Sequence, residues 1–282
     1  MRHSWYLGSS DYPIAEDLPD RPRVLRGEGA RPDAFAAPRV AIVGTRSASP
    51  HGLADAHETA AFLASAGITI VSGLAIGIDG AAHRGALDAG GLTVGVVATG
   101  LDVEYPRRHR ALYRRVRANG LVVTEHRDGV LPRPERFPPR NRIIAALAQV
   151  VVVIEMTITG GARHTVDYAL KYGRDVFALP GSRRNPAAAG CNVLIAEGAQ
   201  PLVDPGDVLV ALGRGGATGW REPPEACDPD ERRVLRAFGG DAATVDQLVE
   251  RTKIGTARVA AALRRMELSG RAEPHRGRWW PR

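Results

Sequence analysis

Lysine is nearly absent from this 282-residue chain: Lys171 and Lys253 are the only two, so almost all of the 38 basic residues are arginine. Arginine forks onto phosphate oxygens and stacks on bases, so the bias fits a phosphate-rich partner; a codon preference for arginine would produce the same totals. Cysteine is equally scarce. Cys191 and Cys227 stand far apart, which excludes a disulfide scaffold and fits a reducing cytoplasm. No apolar run reaches 18 residues, so no membrane span is expected. Residues 1–20 lack an uninterrupted apolar stretch, which argues against a secretory signal. Neither lysine follows a glycine, so the G-x-x-x-x-G-K-[ST] loop is missing and ATP hydrolysis by that route is excluded. G-x-G-x-x-G is missing too, leaving a standard NAD site unsupported. The eight histidines show no ligand spacing with Cys or carboxylates, so neither a metal site nor a cofactor is expected.

What is present is distributed unevenly. The net charge is +7 with a pI near 10, and 44% of residues are hydrophobic, enough for a large core. The length fits roughly two domains. Residues 100–145 hold 11 Arg against 5 acidic residues, and residues 258–282 hold 7 against 2. Two local basic concentrations point to an anionic polymer as partner.

Residues 1–38, rich in Pro, Arg, Asp and Gly, read as an irregular lead-in with a possible short strand at 22–25. From residue 39 to 212, buried-strand runs at Val40–Gly44, Ile68–Val71, Leu92–Ala98, Leu121–Thr124, Val150–Ile154 and Asp175–Leu179 alternate with helical patterns, with short strands expected at Pro201–Val203 and Val208–Leu212. Near-continuous apolar strands between helices predict an α/β, extended Rossmann-like, mainly parallel doubly wound sheet. Residues 213–226 have linker composition. Residues 227–282 read as three short helices and a terminal β-ribbon, a small winged-helix domain with Gly255–Arg265 as the would-be recognition helix.

Ligands bind such sheets beyond the carboxyl ends of the strands. Gly44-Thr45-Arg46-Ser47 follows the first strand, where glycine permits close approach and Arg46 can fork onto phosphate. Ser72-Gly73, with Gly77 and Asp79, offers a nest of backbone donors, Asp79 reading as a helix cap. The stretch Phe137–Thr165 is expected to form half of a phosphate-recognising cleft. In it Pro138-Pro139 stops the chain, Arg140-Asn141-Arg142 opens an apolar helix, and Gly160-Gly161 opens another that carries Arg163, His164 and Thr165. Glu155, ending a strand, reads as a hydrogen-bonding scaffold residue.

These motifs resemble the DprA/Smf family of DNA-processing proteins. The resemblance rests on VAIVGTR ending at Arg46, I-V-S-G-L-A-x-G-I-D ending at Asp79 with Ala82-His83, and T-G-L-D-x-x-Y-P ending at Pro106. It also rests on F-P-x-R-N-R-I-I from Phe137, V-F-A-x-P-G ending at Gly181, and G-C-N-x-L-I-x-x-G-A ending at Ala199. It extends from about residue 10 to the C-terminus. It implies a protein that binds single-stranded DNA, protects incoming strands in natural transformation, helps load the RecA recombinase and acts as a homodimer, with no catalytic residue. Carried over residue by residue, the DNA-binding candidates are Gly44, Arg46, Ser47, Ser72, Gly73, Arg140, Asn141, Arg142, Gly160, Gly161, Arg163 and Thr165. The chain departs from the family pattern at Ile76, where Arg is usual, and at Thr159-Gly160-Gly161, where Lys-Ser-Gly is usual. Arg163-His164 replaces an apolar pair, and Arg163 is expected to restore one lost cation. The helical domain that precedes the core in many members is not expected in so short a lead. Two competing readings remain. One is a hydrolase releasing the base of a nucleoside monophosphate, with Asp167 at the position of its Glu; the other is a winged-helix regulator on duplex DNA.

Overall fold

A computed structural model describes residues 1–16, 18–214, 228–238, 242–268, 270–275 and 277–281. The chain divides into two compact units, Met1–Gly219 and Trp220–Arg282. The expected linker at 213–226 lies, from residue 215 on, outside the described residues.

The first unit is built on nine strands: β1 (Arg2–Tyr6), β2 (Val24–Gly29), β3 (Arg39–Val43), β4 (Thr69–Ser72), β5 (Thr93–Val96), β6 (Gly120–Thr124), β7 (Val150–Val153), β8 (Asp175–Ala178) and β9 (Gln200–Pro201). Their spatial order is β1-β2-β6-β5-β4-β3-β7-β8-β9. All pairings from β6 across to β9 are parallel, while β2 runs antiparallel to β6 and β1 antiparallel to β2. Seven helices accompany the sheet: α1 (Pro50–Ser65), α2 (Ile78–Asp88), α3 (Arg110–Asn119), α4 (Phe137–Leu147), α5 (Arg163–Lys171), α6 (Ala189–Ala196) and α7 (Pro205–Ala211). One sheet face turns Val40, Ile42, Ile70 and Val152 toward α1, α2 and α7. The other turns Ala41, Val43, Val71 and Val151 toward α4, α5 and α6. Alternate residues of each strand serve opposite cores, so the sheet is doubly wound. The strands progress outward from β3 to β6, and the chain then returns through α4 to place β7 on the other side of β3. The order reverses between β3 and β7, the topological switch where open α/β sheets hold ligands.

Three local expectations are corrected. Residues 1–38 are not a lead-in: β1 and β2 extend the sheet, burying Trp5, Ile14, Leu18, Leu25 and Ala34. The single inward aromatic of Arg-His-Ser-Trp-Tyr gave too little alternation to read as a strand. Residues 208–212 form no strand, because Asp204 and Asp207 make a reciprocal capping box and Pro205 occupies the first turn, so α7 starts there. The Pro138-Pro139 pair does not precede a helix but lies inside the first turn of α4, where proline is tolerated. Arg140, Asn141 and Arg142 therefore sit a turn into α4, not at its start.

The second unit contains α8 (Pro229–Phe238), α9 (Val245–Thr252) and α10 (Thr256–Leu268), followed by the antiparallel ribbon β10 (Ala272–His275) and β11 (Arg278–Pro281). Val234, Phe238, Leu248, Val259, Leu263 and Met266 fill its own core. Ala243 bridges to Trp279 and ties the ribbon to the helices, a winged-helix arrangement. No described helix is long and apolar enough to cross a membrane.

Candidate nucleic-acid interface

A cleft of about 550 Å³ opens at the switch point. The β3 end supplies Gly44, Thr45 and Arg46; the stretch after β7 supplies Met156, Gly160, Gly161, His164 and Thr165; α4 supplies Phe137, Arg140 and Asn141. Tyr105 and the Pro132-Arg133-Pro134 segment complete the wall. Backbone and side-chain contacts fix its floor. Thr45 N–H donates to Glu155 O at 2.7 Å, while the Glu155 carboxylate accepts Ser49 N–H at 2.8 Å and the Ser49 hydroxyl at 2.6 Å. Glu155 is thus the scaffold residue expected, joining the end of β7 to the N-cap of α1. Gly77 holds φ +82°, and a Cβ there would stand 2.3 Å from Thr45 O, so the β4–α2 loop meets the β3 loop only through glycine.

The candidate residues part into two groups. Gly44, Arg46, Arg140, Asn141, Gly160, Gly161 and Thr165 line the cleft. Ser47, Ser72, Gly73, Arg142 and Arg163 do not. The buried Ser72 hydroxyl donates to Ile42 O at 2.6 Å. Arg142 forms a 2.5 Å ion pair with Glu125. Arg163 reaches Asp167 at 2.9 Å and Glu197 at 2.8 Å, so it does not replace the cation lost at Ile76. At the start of α5 the Gly160, Arg163 and Thr165 N–H groups are taken up locally, donating to the Thr157, Gly160 and Ala162 carbonyls.

Arg140 is a buried guanidinium. Its Nη1 donates to Gly73 O at 2.7 Å and to Val96 O, and its Nε to Asn141 Oδ1 at 3.2 Å. Asp79 answers from the opposite side of Gly73, accepting Gly73 N–H at 3.1 Å and Ala75 N–H at 3.4 Å. It is not the cap of α2, since Gly77 occupies that position. A Cβ on Gly73 would stand 2.6 Å from Asp79 Oδ2 and 2.7 Å from Arg140 Nη1, so only glycine fits between the two charges. Burial pushes the Asp79 carboxyl up, partly offset by Arg140; burial likewise lowers the Arg140 guanidinium. Asn141 Nδ2 donates to Gly161 O at 3.3 Å, linking α4 to the glycine turn.

Arg46 is exposed. Its guanidinium lies 4.8 Å from the centroid of Phe137, and Arg140 lies 5.9 Å from the same ring. Tyr105 leans on Phe137 at 5.8 Å and is 44% exposed. Neither aromatic stands out as a site residue in the sequence: Phe137 there is only the start of a motif, and Tyr105 comes from the distant β5–α3 connection. Chemically the cleft joins an open guanidinium to two ring faces and glycine backbone. That combination holds phosphate by charge and flat heteroaromatic groups by stacking. Among the described residues Asp79 is the only carboxylate lining it, and its Oδ2 already accepts two backbone donors.

Comparison with known proteins accounts for both units. Residues 3–213 match the family model described as DNA recombination-mediator protein A, and residues 221–278 match the DprA winged helix domain. The putative DNA processing protein DprA of Mycobacterium tuberculosis is 40% identical over 265 residues, covering 92% of this chain and 68% of the relative. Protein Smf of Synechocystis is 35% identical over 298 residues, covering 92% and 75%. Among solved structures, DprA of Streptococcus pneumoniae matches with TM-score 0.68 and 38% identity over 74% of this chain and 73% of that one. DprA of Helicobacter pylori, whose structure describes a single-stranded DNA binding mode, matches with TM-score 0.67 and 28% identity over 76% and 96%. With both units matched in order and relatives similar over most of their length, the chain belongs to the DNA recombination-mediator protein A family, the DNA-processing proteins known as DprA or Smf.

Proposed function

We propose that this protein binds single-stranded DNA in the switch-point cleft, without catalysing a reaction on it. The observation that carries this reading is the exposed Arg46 beside the Phe137 and Tyr105 rings: a cation for the backbone next to faces on which unpaired bases stack. The single-stranded DNA binding mode described for the Helicobacter pylori relative supports it. Phosphate neutralisation supplies most of the affinity, so binding falls with salt and discriminates little among sequences. Gly44, Gly160, Gly161 and Thr165 form the wall against which the strand lies; Arg140 and Asn141 hold that wall in place.

In the cell the bound strand is protected and passed to the RecA recombinase during natural transformation or recombination, the protein working as a homodimer. These roles rest on family membership. The base-releasing hydrolase is less well supported: Asp167 does not line the cleft and is paired with Arg163.

Arg46→Ala tests the cleft. Against a labelled oligothymidylate, binding is expected to weaken ~10-fold, and the slope of log affinity against log salt to lose ~0.7, one phosphate contact on a single strand. Wild-type affinity and slope in this variant would remove the cleft from the reading. Strand exchange by RecA on strands precoated with a single-strand-binding protein, with and without this protein, tests loading; light scattering tests the dimer.

A further inference from the structure

Cationic character continues past the cleft along the same edge of the sheet. From Val176 to Ala196 the sequence has no acidic residue, and Arg183 and Arg184 stand side by side in the β8–α6 connection. Both are exposed, and among the described residues no ion pair holds either one. Arg142 and Arg163, by contrast, are held by carboxylates.

The connection is held in a defined shape. Ser182 accepts Arg184 N–H on its hydroxyl at 3.3 Å and Asn185 N–H on its carbonyl at 2.8 Å. Asn185 Oδ1 accepts Ala187 N–H at 3.0 Å. At the base, the Asn192 amide grips both backbone groups of Gly181, at 3.2 and 2.9 Å. The far end is joined to the cleft itself: Met156 N–H donates to Ala187 O at 2.8 Å, and Gly190 N–H donates to Met156 O at 2.7 Å. Met156 lines the cleft, and a Cβ on Gly190 would stand 2.6 Å from the carbonyl oxygens of Met156 and Thr157. β8 lies one strand beyond β7, about 4.8 Å away. The two arginines therefore follow directly on the exposed rim at Thr157, Ile158 and Thr159.

We propose that Arg183 and Arg184 form a second phosphate-contact segment, taking up a single strand as it leaves the cleft across residues 157–161 toward β8. The proposal rests on the reading of the cleft as a single-strand site and adds the direction of the strand and the length of its footprint. The ligand class is the sugar-phosphate backbone, contacted without regard to sequence. Because the connection is already ordered, little entropy is lost when the guanidiniums engage.

Salt titrations of the full chain by fluorescence anisotropy, with oligothymidylates of about 6 and about 20 nucleotides, test this. Arg183→Ala/Arg184→Ala is expected to bind the short oligonucleotide as wild type does. On the long one it loses ~10-fold in affinity and ~1.4 in salt slope, two single-strand phosphate contacts. Arg114→Ala/Lys171→Ala removes the same two charges elsewhere and should keep the wild-type slope on both. A double variant with wild-type slope on the long oligonucleotide overturns the second segment while leaving the cleft intact. A control that loses as much overturns it as well, since the effect would then be general charge. Failure of the wild type to bind either length overturns both readings.

Discussion

Arg140 and Arg46 carry the same charge and flank the same phenylalanine, yet their surroundings assign them different roles. Arg140 is buried, and its Nη1 and Nε are committed to Gly73 O, Val96 O and Asn141 Oδ1, which ties β4, β5 and α4 together. Its sequence motif marks it as important without saying why. Truncation would leave those acceptors without a donor and remove the positive charge that offsets the burial of Asp79, so Arg140→Ala is expected to cost about 3 kcal/mol in urea unfolding. Arg140→Lys should recover little, because an ammonium cannot reproduce the fork. Arg46→Ala, at an exposed position, should leave the unfolding midpoint unchanged while weakening DNA binding. The pair thus separates positioning from contact. His83 provides a residue-scale pH response. It is fully buried, and its Nδ1 donates to the Thr93 hydroxyl at 2.7 Å, that hydroxyl in turn donating to Ile70 O. Burial holds its pKa down to about 3. Between that value and the ordinary 6.5 only the unfolded chain takes up the proton, so stability falls as pH drops below 6.5. By pH 5 the loss from this group is ~2 kcal/mol, and His83→Asn should flatten the stability–pH slope in that window.

At the scale of elements, the inner parallel strands were legible because they are short, largely apolar runs buried on both faces, as Val150–Val153 is. The winged unit was legible from helical spacing and the closing ribbon. The errors came where one local signal was read with the wrong polarity. Pro138-Pro139 looks like a stop in the sequence, although proline suits a first helical turn, and a stop there puts the helix start at Arg140, a turn too late. Five of the twelve cleft candidates lie near lining residues in the chain but do not line the cleft, as Arg142 turns toward Glu125, since spacing along the chain does not fix side-chain direction. The first 38 residues are the largest miss. Their contribution is a sheet edge anchored by Trp5, set edge-on to Phe35 at 5.2 Å, and by fully buried Leu25. Leu25→Ala is expected to destabilise the protein by about 3 kcal/mol, read as a lower thermal midpoint. A lead-in without structure would tolerate the change, so a neutral result would mean that β2 contributes nothing to the core.

At the scale of the whole molecule, the sequence has two arginine-rich regions that point to an anionic polymer as partner, and the structure distinguishes them. In the second unit the arginines of α10 are held within the unit. Arg258 reaches Asp230 with two bonds of 2.8 and 2.6 Å, Arg265 reaches Glu231 at 2.8 Å, and Arg264 pairs with Glu267. The outward positions Ala257, Ala260 and Ala261 carry no polar group that could reach a base edge. A guanidinium already neutralised by a carboxylate adds little when phosphate approaches, because few counterions are released. In the first unit Arg46 stands open in the cleft. The binding free energy for single strands should therefore reside in Met1–Gly219, which has hydrophobic cores of its own and satisfies the conditions for folding alone. A chain ending at Gly219 is expected to keep its affinity for a short oligothymidylate within about threefold of the full protein and to keep the same salt slope. The full protein should also prefer single strands to a duplex of equal length. If truncation instead lowers affinity by more than ~10-fold, or if the duplex is preferred, the internal pairing on α10 must yield to DNA, and the winged unit would then be a reader in its own right.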